Sequence, residues 1–317
     1  MMAGAAESTP RNHVKIASGA IRAAPVPRCA CIDIGSNTTR LLVAEGDGER
    51  LRELVSERAF TRLGASPGGR LGPHKIAEIA AAVARQARLA RELGVESLRI
   101  VATGAVRQAP DRGALRASIG ASCDATLEIL DGEDEARLAF RGAIGTLAAP
   151  PPGLLGVVDV GGGSTELVVG TAAGGGTWSI SLPVGSGTLT DAELPSDPPA
   201  PRELARLREK LADVFAPVRA PSPAAAYAVG GSATSMQRLM GAALDRDALA
   251  LGLQALVTRP AAEVALRLGL HAERARLLPA GILLLDAASR ALSAPLQFAG
   301  GGLREGVVLE QLAALRS

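Results

Sequence analysis

One short motif occurs twice in this chain, and it constrains the fold more than any other feature. Residues 31–44 read CIDIGSNTTRLLVA and residues 157–170 read VVDVGGGSTELVVG, so that Asp33 aligns with Asp159. In both copies an apolar run ends near the Asp, a turn of small residues follows, and a second apolar run begins. This pattern is typical of two strands joined by a tight turn. Two copies in register predict two related half-molecules.

Both turns have the composition of a cradle for phosphate. Glycines and small hydroxyl residues let backbone N–H groups approach an anion closely, and Gly161-Gly162-Gly163 does so without side-chain obstruction. The carboxylates of Asp33 and Asp159 could hold Mg²⁺, because hard cations take oxygen ligands. An Asp at a turn can also simply cap its own backbone, but capping does not demand matching flanks in two copies. The pattern therefore favours phosphoryl chemistry.

Two further acidic features accompany these turns. Glu166, the counterpart of Arg40 in the first copy, fits a role at a metal or a water and a solvated strand position equally well. Residues 131–135 read DGEDE at a predicted helix start, where acids complement the helix dipole. Four acids in five residues exceed what capping needs, so one of them is a candidate general base whose pKa the others raise. The residues alone do not say which one.

A third glycine-containing segment, YAVGGSATS at residues 227–235, leads from a predicted strand into a helix start that can bind an anion. Arg107 and Arg304 are candidates for paired hydrogen bonds from the guanidinium group to phosphate oxygens, although most arginines are solvated on the surface. A Walker-type loop is missing, the three histidines are scattered, and no Cys has the Cys-x₅-Arg spacing of thiol phosphatases. Attack by water, assisted by a carboxylate and Mg²⁺, is the chemistry that remains.

Strands and helices alternate in both halves of the chain, with a third strand expected around Leu51–Phe60 and a last strand near Leu296–Phe298. Each half opens with the duplicated hairpin, which predicts an α/β fold with mixed sheets flanked by helices. Residues 1–28 lack a continuous apolar segment and predict a disordered leader. The prolines at 150–152 predict a boundary between domains of residues 29–150 and 151–317. An interdomain cleft between two similar domains is a favoured ligand site.

Composition excludes several classes of protein. The net charge of +2 and an aromatic content of 2% argue against a nucleic-acid partner. No apolar stretch reaches the ~20 residues needed to cross a bilayer, so no membrane partner is expected. The three cysteines, Cys29, Cys31 and Cys123, complete neither a zinc pattern nor a set of pairs. Reduced thiols and a cytoplasmic location are therefore expected.

The motifs quoted above occur in the order found in one known family. DIGSNTTRLL, ATGAVRQA, GEDEARLAF, DVGGGSTEL, AVGGSATS and GLREG together resemble the exopolyphosphatase/guanosine pentaphosphate phosphohydrolase family, from about residue 30 to the end. That family belongs to the superfamily of actin, sugar kinases and heat-shock chaperone ATPases. The resemblance implies two ribonuclease-H-like (actin-like ATPase) domains around a cleft. It also implies Mg²⁺-dependent hydrolysis of terminal phosphate from inorganic polyphosphate or guanosine pentaphosphate, and so a link to the stringent response.

The resemblance implies residue roles as well. The acid directly before Ala-Arg is the catalytic base, here Glu135, and the metal-associated acids expected are Asp33, Asp159 and Glu166. The expected phosphate-binding residues, taken from both turns, the glycine-containing helix start and Arg107, are Gly35, Ser36, Asn37, Thr38, Arg107, Gly161, Gly162, Gly163, Ser164, Thr165, Gly230, Gly231 and Ser232. Residues 62–67 and 300–302 depart from the usual family pattern. A short form without the C-terminal helical domains of long members is expected.

Several alternatives stay open at this point. Exopolyphosphatase is the leading hypothesis, and guanosine pentaphosphate 5′-phosphatase is the alternative within the family. Transfer to a sugar or acetate acceptor is a third option in the same superfamily. A non-catalytic binder of polyphosphate or alarmone is the alternative from another class, which the intact acids Asp33, Glu135, Asp159 and Glu166 disfavour. Mg²⁺ is the expected cofactor, K⁺ is a further activator to be tested, and a homodimer is the oligomer considered.

Overall fold

The computed structural model describes residues 26–63 and 69–316 of the protein. Residues 1–25 of the predicted leader lie outside the described residues, as do residues 64–67 of the segment that departs from the family pattern and residue 68 after it. The first strand begins at Arg28, the last residue of the predicted leader.

The first half of the chain forms a five-stranded sheet with helices. Its elements are β1 (Arg28–Ile34), β2 (Thr38–Gly46), β3 (Leu51–Phe60), α1 (Pro73–Glu92), β4 (Ser97–Ala102), α2 (Gly104–Gln108), α3 (Arg112–Cys123), β5 (Leu127–Ile129) and α4 (Gly132–Gly145). The strand order is β3-β2-β1-β4-β5, with the first three strands antiparallel and β1, β4 and β5 parallel. This sheet with α1, α2 and α3 is the first lobe.

The second half repeats the arrangement with a six-stranded sheet. Its elements are β6 (Leu155–Val160), β7 (Thr165–Thr171), β8 (Gly175–Leu182), α5 (Ser186–Glu193), α6 (Pro201–Phe215), β9 (Ala225–Val229), α7 (Gly230–Met240), β10 (Ala243–Leu244), α8 (Arg246–Leu256), α9 (Ala261–Leu268), α10 (Ala272–Leu292), β11 (Leu296–Phe298) and α11 (Leu303–Ala314). The order is β10-β11-β9-β6-β7-β8, again mixed. This sheet with α5–α10 is the second lobe.

Helix α1 shows how the sequence specifies these elements. Pro73 stands at the start of the helix, where its missing N–H costs nothing. The buried residues Ile76, Ile79, Val83 and Ala87 recur every three or four positions, which places them on one face. That face packs on the first sheet and covers the strands that carry the first turn.

Two helices, α4 and α11, lie between the sheets and pack against each other. Helix α4 contributes Phe140 to a core with the second sheet, whereas α11 contributes Val307 to a core with the first sheet. A Cβ atom at Gly306 would lie 1.9 Å from the carbonyl oxygen of Leu138, so the two helix backbones touch. Each half of the chain thus supplies one helix that packs on the sheet of the other half. We keep the domain boundary near residue 150 as a proposal, with α11 crossing back over it.

Two further features bear on the setting of the protein. The three cysteines are buried and free. Within residues 26–63 and 69–316, no single helix is long and apolar enough to span a membrane. Helices α8 and α9 are long and apolar enough only when taken together, and the pair is bent by 118°.

Candidate active site

The two turns of the duplicated motif face each other across the cleft between the lobes. Each turn follows the carboxyl end of a central strand, β1 or β6, which is where ligands bind in open α/β sheets. A Cβ atom at Gly162 would lie 2.6 Å from both Nδ2 of Asn37 and Oγ of Ser36. The second turn therefore touches the first, and folding joins two segments that are distant in the chain.

A cavity of about 150 Å³ lies between these turns. Most of the site residues predicted from the sequence line it, namely Asp33, Gly35, Ser36, Asn37, Thr38, Glu135, Asp159, Gly161, Gly162, Gly163, Ser164, Glu166, Gly230 and Gly231. Residues 300–302 before α11 also line the cavity, as does Gly104 at the start of α2. Glycine-containing backbone thus surrounds the cavity on several sides.

Two predicted phosphate-binding residues, Thr165 and Ser232, are absent from this lining. The hydroxyl of Thr165 is buried and donates to the carbonyl oxygen of Val184 at 2.7 Å. Ser232 is fully buried and faces α10, because a Cβ atom at Gly281 would lie 2.2 Å from its Oγ. The Thr165 hydroxyl is thus engaged within the second lobe, whereas Oγ of Ser232 has no hydrogen-bond partner among the described residues.

The structure places Arg107, a predicted phosphate ligand, beside an acid of α4. Its Nη1 donates to Oε2 of Glu135 at 2.9 Å and to the carbonyl oxygen of Leu130 at 2.8 Å. The guanidinium therefore holds the Glu135 carboxylate in place, and it is absent from the cavity lining. The motif ATGAVRQ predicted a functional arginine, but only the structure shows that its partner is an acid of α4.

The structure also resolves which acid of the DGEDE run faces the cleft. Asp131 caps α4 by accepting a hydrogen bond from the backbone N–H of Asp134 at 2.8 Å. The Asp134 carboxylate pairs with Arg137 at 3.0 Å, and Glu133 is exposed. Glu135 alone among these four acids is buried, and it lines the cavity. One turn of helix separates a capping acid from a candidate base.

Burial and mutual repulsion raise the proton affinity of the acids in the cleft. Burial raises the pKa of Glu135 to about 9, with the Glu166 charge adding to the effect and Arg107 opposing it. The pKa of Asp159 rises to about 7, first through burial and then through Glu166 and Asp33. Burial is also the main cause of the raised pKa of Asp33 and of Glu166. Such perturbed carboxyl groups in a cleft are typical of functional sites.

The two copies of the motif differ in how each Asp is compensated. On the first hairpin Asp33 lies opposite Arg40, whose positive charge lowers the pKa of the Asp. On the second hairpin Asp159 lies opposite Glu166, so that two acids face one another across neighbouring strands. The second turn therefore carries the larger uncompensated negative charge of the two. A cation would relieve it.

The cleft offers oxygen atoms to such a cation. Oδ1 of Asp33 and Oε2 of Glu166 are buried and accept no hydrogen bond. In the described ranges, no three His, Cys, Asp or Glu side chains converge closely enough to hold a metal by themselves. This arrangement fits Mg²⁺, which usually keeps several waters and takes one or two carboxylates together with substrate phosphates. A site made wholly of protein ligands does not fit.

Gly230 allows a helix start to approach one of these acids. The residue begins α7 with φ at +83°, a left-handed value that favours glycine. A Cβ atom there would lie 2.5 Å from Oδ1 of Asp159. Any other residue at this position would displace the carboxylate.

Two partly buried arginines that sequence reasoning did not assign to the site also line the cavity, Arg40 and Arg274. Burial, and then the neighbouring Arg304, lowers the pKa of Arg40 to about 9. Burial, and then Arg58, lowers the pKa of Arg274 to about 10. Neither guanidinium forms an ion pair with an acid in the part of the chain that the structure describes. Arg40 could have been found from the duplicated motif, whereas the sequence carries no signal for Arg274.

Comparison with known proteins shows which family the chain belongs to. The chain matches the Ppx/GppA phosphatase family over residues 41–315. The protein belongs to this family. It is 32% identical over 305 residues to exopolyphosphatase 1 of Mycobacterium tuberculosis, covering 90% of this chain and 88% of that one. It is 34% identical over 256 residues to exopolyphosphatase 2 of the same organism, with coverages of 76% and 79%.

A solved structure extends the relationship to the fold. The crystal structure of the Aquifex aeolicus member of the Ppx/GppA family superposes with a TM-score of 0.80 at 28% identity. The match covers 92% of this chain and 100% of that one. The predicted family and the predicted two-domain, actin-like α/β fold are thereby confirmed. This Ppx/GppA protein is a hydrolase of the phosphatase type, as predicted.

Proposed function

We propose that this Ppx/GppA protein is an exopolyphosphatase that releases terminal phosphate from inorganic polyphosphate. The observation that carries the proposal is the position of Glu135, a buried carboxylate of high proton affinity beside two facing phosphate turns. The M. tuberculosis relatives bear the name exopolyphosphatase, which supports the same substrate. A base next to a bound phosphoryl group can activate water.

The reaction can be written in terms of this chain's own residues. The glycine-containing turns at residues 35–38 and 161–164 bind the terminal phosphoryl group through backbone N–H and hydroxyl donors. Glu135 accepts a proton from water as the water oxygen attacks the terminal phosphorus. The bond from that phosphorus to the bridging oxygen breaks, and the shortened chain leaves with the bridging oxygen and its electron pair. Arg107 holds the base in position throughout.

Mg²⁺ belongs to the proposal as the cofactor. Asp159 and Glu166 would hold it with water, with Asp33 facing from the other turn, and it would neutralise charge on the phosphate oxygens. Removal of divalent cations with a chelator should abolish phosphate release, and Mg²⁺ should restore it. Release at an undiminished rate in excess chelator would contradict this part of the proposal. K⁺ activation, a homodimer and a cytoplasmic location also remain proposals.

The arginines that line the cavity support a substrate with several phosphates. Arg40 and Arg274 are partly buried there, and among the described residues neither forms an ion pair with an acid, although Arg40 faces Asp33 across the first hairpin. A polyanion in the cavity would place negative charge beside both guanidinium groups. Inorganic polyphosphate carries such negative charge along its whole length.

The test compares two acids of the same helix turn. Glu135→Gln should lower kcat for phosphate release from polyphosphate by about 10²- to 10⁴-fold, the usual effect of removing a general base. Glu133→Gln is the matched control, because Glu133 is exposed in the same run of acids and should leave kcat nearly unchanged. Polyphosphate binding should persist in both variants. Normal turnover by Glu135→Gln would contradict the assignment of the base.

The substrate is tested separately with the unaltered protein. Phosphate release is measured side by side on polyphosphate, guanosine pentaphosphate and ATP under the same metal conditions. Polyphosphate should show the highest kcat/KM. A preference for guanosine pentaphosphate would replace the proposed substrate, and tight binding of polyphosphate without any release would indicate a non-catalytic binder.

A further inference from the structure

The two lobes also contact each other through exposed side chains outside the cavity lining. The ring of Phe60, at the end of β3, stacks on that of His271, just before α10, with centroids 4.5 Å apart and planes 19° from parallel. Arg62 lies 3.1 Å from the Glu273 carboxylate and 3.6 Å from that of Asp191. We call these five residues the clasp. Its members come from the first lobe on one side and from α5 and the start of α10 on the other.

On the first lobe the clasp is joined directly to the first phosphate turn. The backbone N–H groups of Thr61 and Arg62 donate to the carbonyl oxygen of Asn37 at 3.3 and 3.1 Å. The N–H of Leu63 donates to the carbonyl oxygen of Ser36 at 2.7 Å. Three backbone hydrogen bonds thus couple the segment that carries Arg62 to the first turn.

On the second lobe the clasp is joined in the same way to the second turn. Asp191 lies on α5, and the N–H groups at the start of that helix, from Ser186 and Gly187, donate to the carbonyl oxygens of Gly161 and Gly162 at 2.9 Å each. The clasp thus connects one phosphate turn to the other by a continuous path outside the cavity.

We infer that the clasp residues are positioning residues that set the spacing of the two phosphate turns for hydrolysis. The turns belong to different lobes, so their spacing depends on how the lobes are held together. Exposed ion pairs and stacked rings are individually weak, and each shifts an equilibrium by about two- to fivefold. Contacts of this strength favour the closed arrangement and still let the lobes separate. Separation of the lobes would widen the cavity between the turns for the entry of substrate and the exit of product.

The first test measures the lobe spacing without substrate, so it is independent of the proposed function. Spin labels on cysteines introduced at Arg85 of α1 and Arg267 of α9, both exposed, report the distance between the lobes. The native cysteines are buried and should not react. In Arg62→Gln the distance distribution should shift toward longer values. Arg290→Gln is the matched control, since Arg290 pairs within α10 with Asp286 and should leave the distribution unchanged.

The second test separates positioning from direct binding of the substrate by Arg62. Removal of both acid partners, in Asp191→Asn with Glu273→Gln, releases Arg62 without changing it. If the clasp positions the lobes, this variant shows the longer distances and lowers kcat by about two- to fivefold, like Arg62→Gln. The charge swap Arg62→Glu with Glu273→Arg should restore in part both the distance distribution and kcat.

Two results would overturn the inference. One is a distance distribution that is the same in all variants. The other is a lower KM with unchanged distances when the acid partners are removed, because this would mean that the released Arg62 binds polyphosphate itself. Loss of polyphosphatase activity in every protein, including the unaltered one, would count against the proposed function and leave the distance result intact.

Discussion

Replacement of Arg107 by Met should shift the pH dependence of the reaction toward alkaline values. In the structure Nη1 of Arg107 donates to Oε2 of Glu135 at 2.9 Å, and the neighbouring Leu130 carbonyl holds the guanidinium in that position. Arg107 lowers the pKa of Glu135 against the larger effects of burial and of Glu166. Without the guanidinium, the base binds its proton more tightly and is active only at higher pH.

The magnitude follows from the strength of the lost contact. A hydrogen bond to a charged group contributes about 1.5–3 kcal/mol. Since one pKa unit corresponds to about 1.4 kcal/mol, the acid limb of the pH profile should move up by about 1–2 units. The pKa of Glu135 is already raised to about 9, so the variant should lose about 10- to 100-fold in rate near neutral pH. Part of the loss should be recovered as the pH rises.

The assay is the pH profile of kcat/KM for phosphate release, which reports the essential groups of the free enzyme. It is run at a fixed Mg²⁺ concentration from neutral pH upward. Arg112→Met is the matched control, because among the described residues the Arg112 guanidinium donates to the carbonyl oxygen of Ala109 alone, at 3.2 Å, and should not affect the profile. A loss that is equal at every pH and appears in KM would refute the reasoning. It would mean that Arg107 binds phosphate, as the motif alone suggested.

Two further predictions concern stability. In chelator, Asp159→Asn should unfold at a higher temperature than the unaltered protein near pH 8 and at a similar temperature near pH 4. The pKa of Asp159 is raised from 3.8 to about 7 in the folded protein. The charged carboxylate therefore destabilises the fold increasingly as the pH rises through that window, by up to about 4 kcal/mol. An equal difference at both pH values would contradict this assignment. Gly306→Ala should cost about 3 kcal/mol or more in the free energy of unfolding, because the added Cβ would meet the Leu138 carbonyl oxygen at 1.9 Å. Gly120→Ala, in the exposed part of α3, should instead stabilise by about 0.5–1 kcal/mol, and chemical denaturation of both variants checks the contrast.

Local signals in the sequence predicted most of the strands. The prediction of β3 over Leu51–Phe60 and of β11 over Leu296–Phe298 agrees with the structure in both bounds. Apolar runs between turn residues carry this information within a few positions of each strand. Helices α3 (Arg112–Cys123) and α5 (Ser186–Glu193) were not predicted. Both contain glycine and serine residues that weaken the intrinsic helix signal, and packing in the lobes stabilises them instead.

The site could be predicted in part. The duplicated motif located the two turns and the acids Asp33 and Asp159, because turn chemistry is local. The choice of Glu135 among four neighbouring acids came from family resemblance, and the structure supplies the physical basis, since only this carboxylate is buried in the cleft. Arg274 was not predicted at all. It reaches the cavity from the start of α10, where nothing in the surrounding sequence distinguishes it from a surface arginine.

The sequence by itself determined two hairpins with small-residue turns, two α/β halves and a set of acids suited to phosphoryl chemistry. These properties depend on residues close together in the chain, whose backbone preferences act before any tertiary contact forms. Only the tertiary structure decided that the turns touch, that α4 and α11 pack between the sheets, and that Arg107 serves Glu135. Those outcomes depend on burial and on charges brought together from both halves, and the energies of such contacts exist only once the lobes have packed.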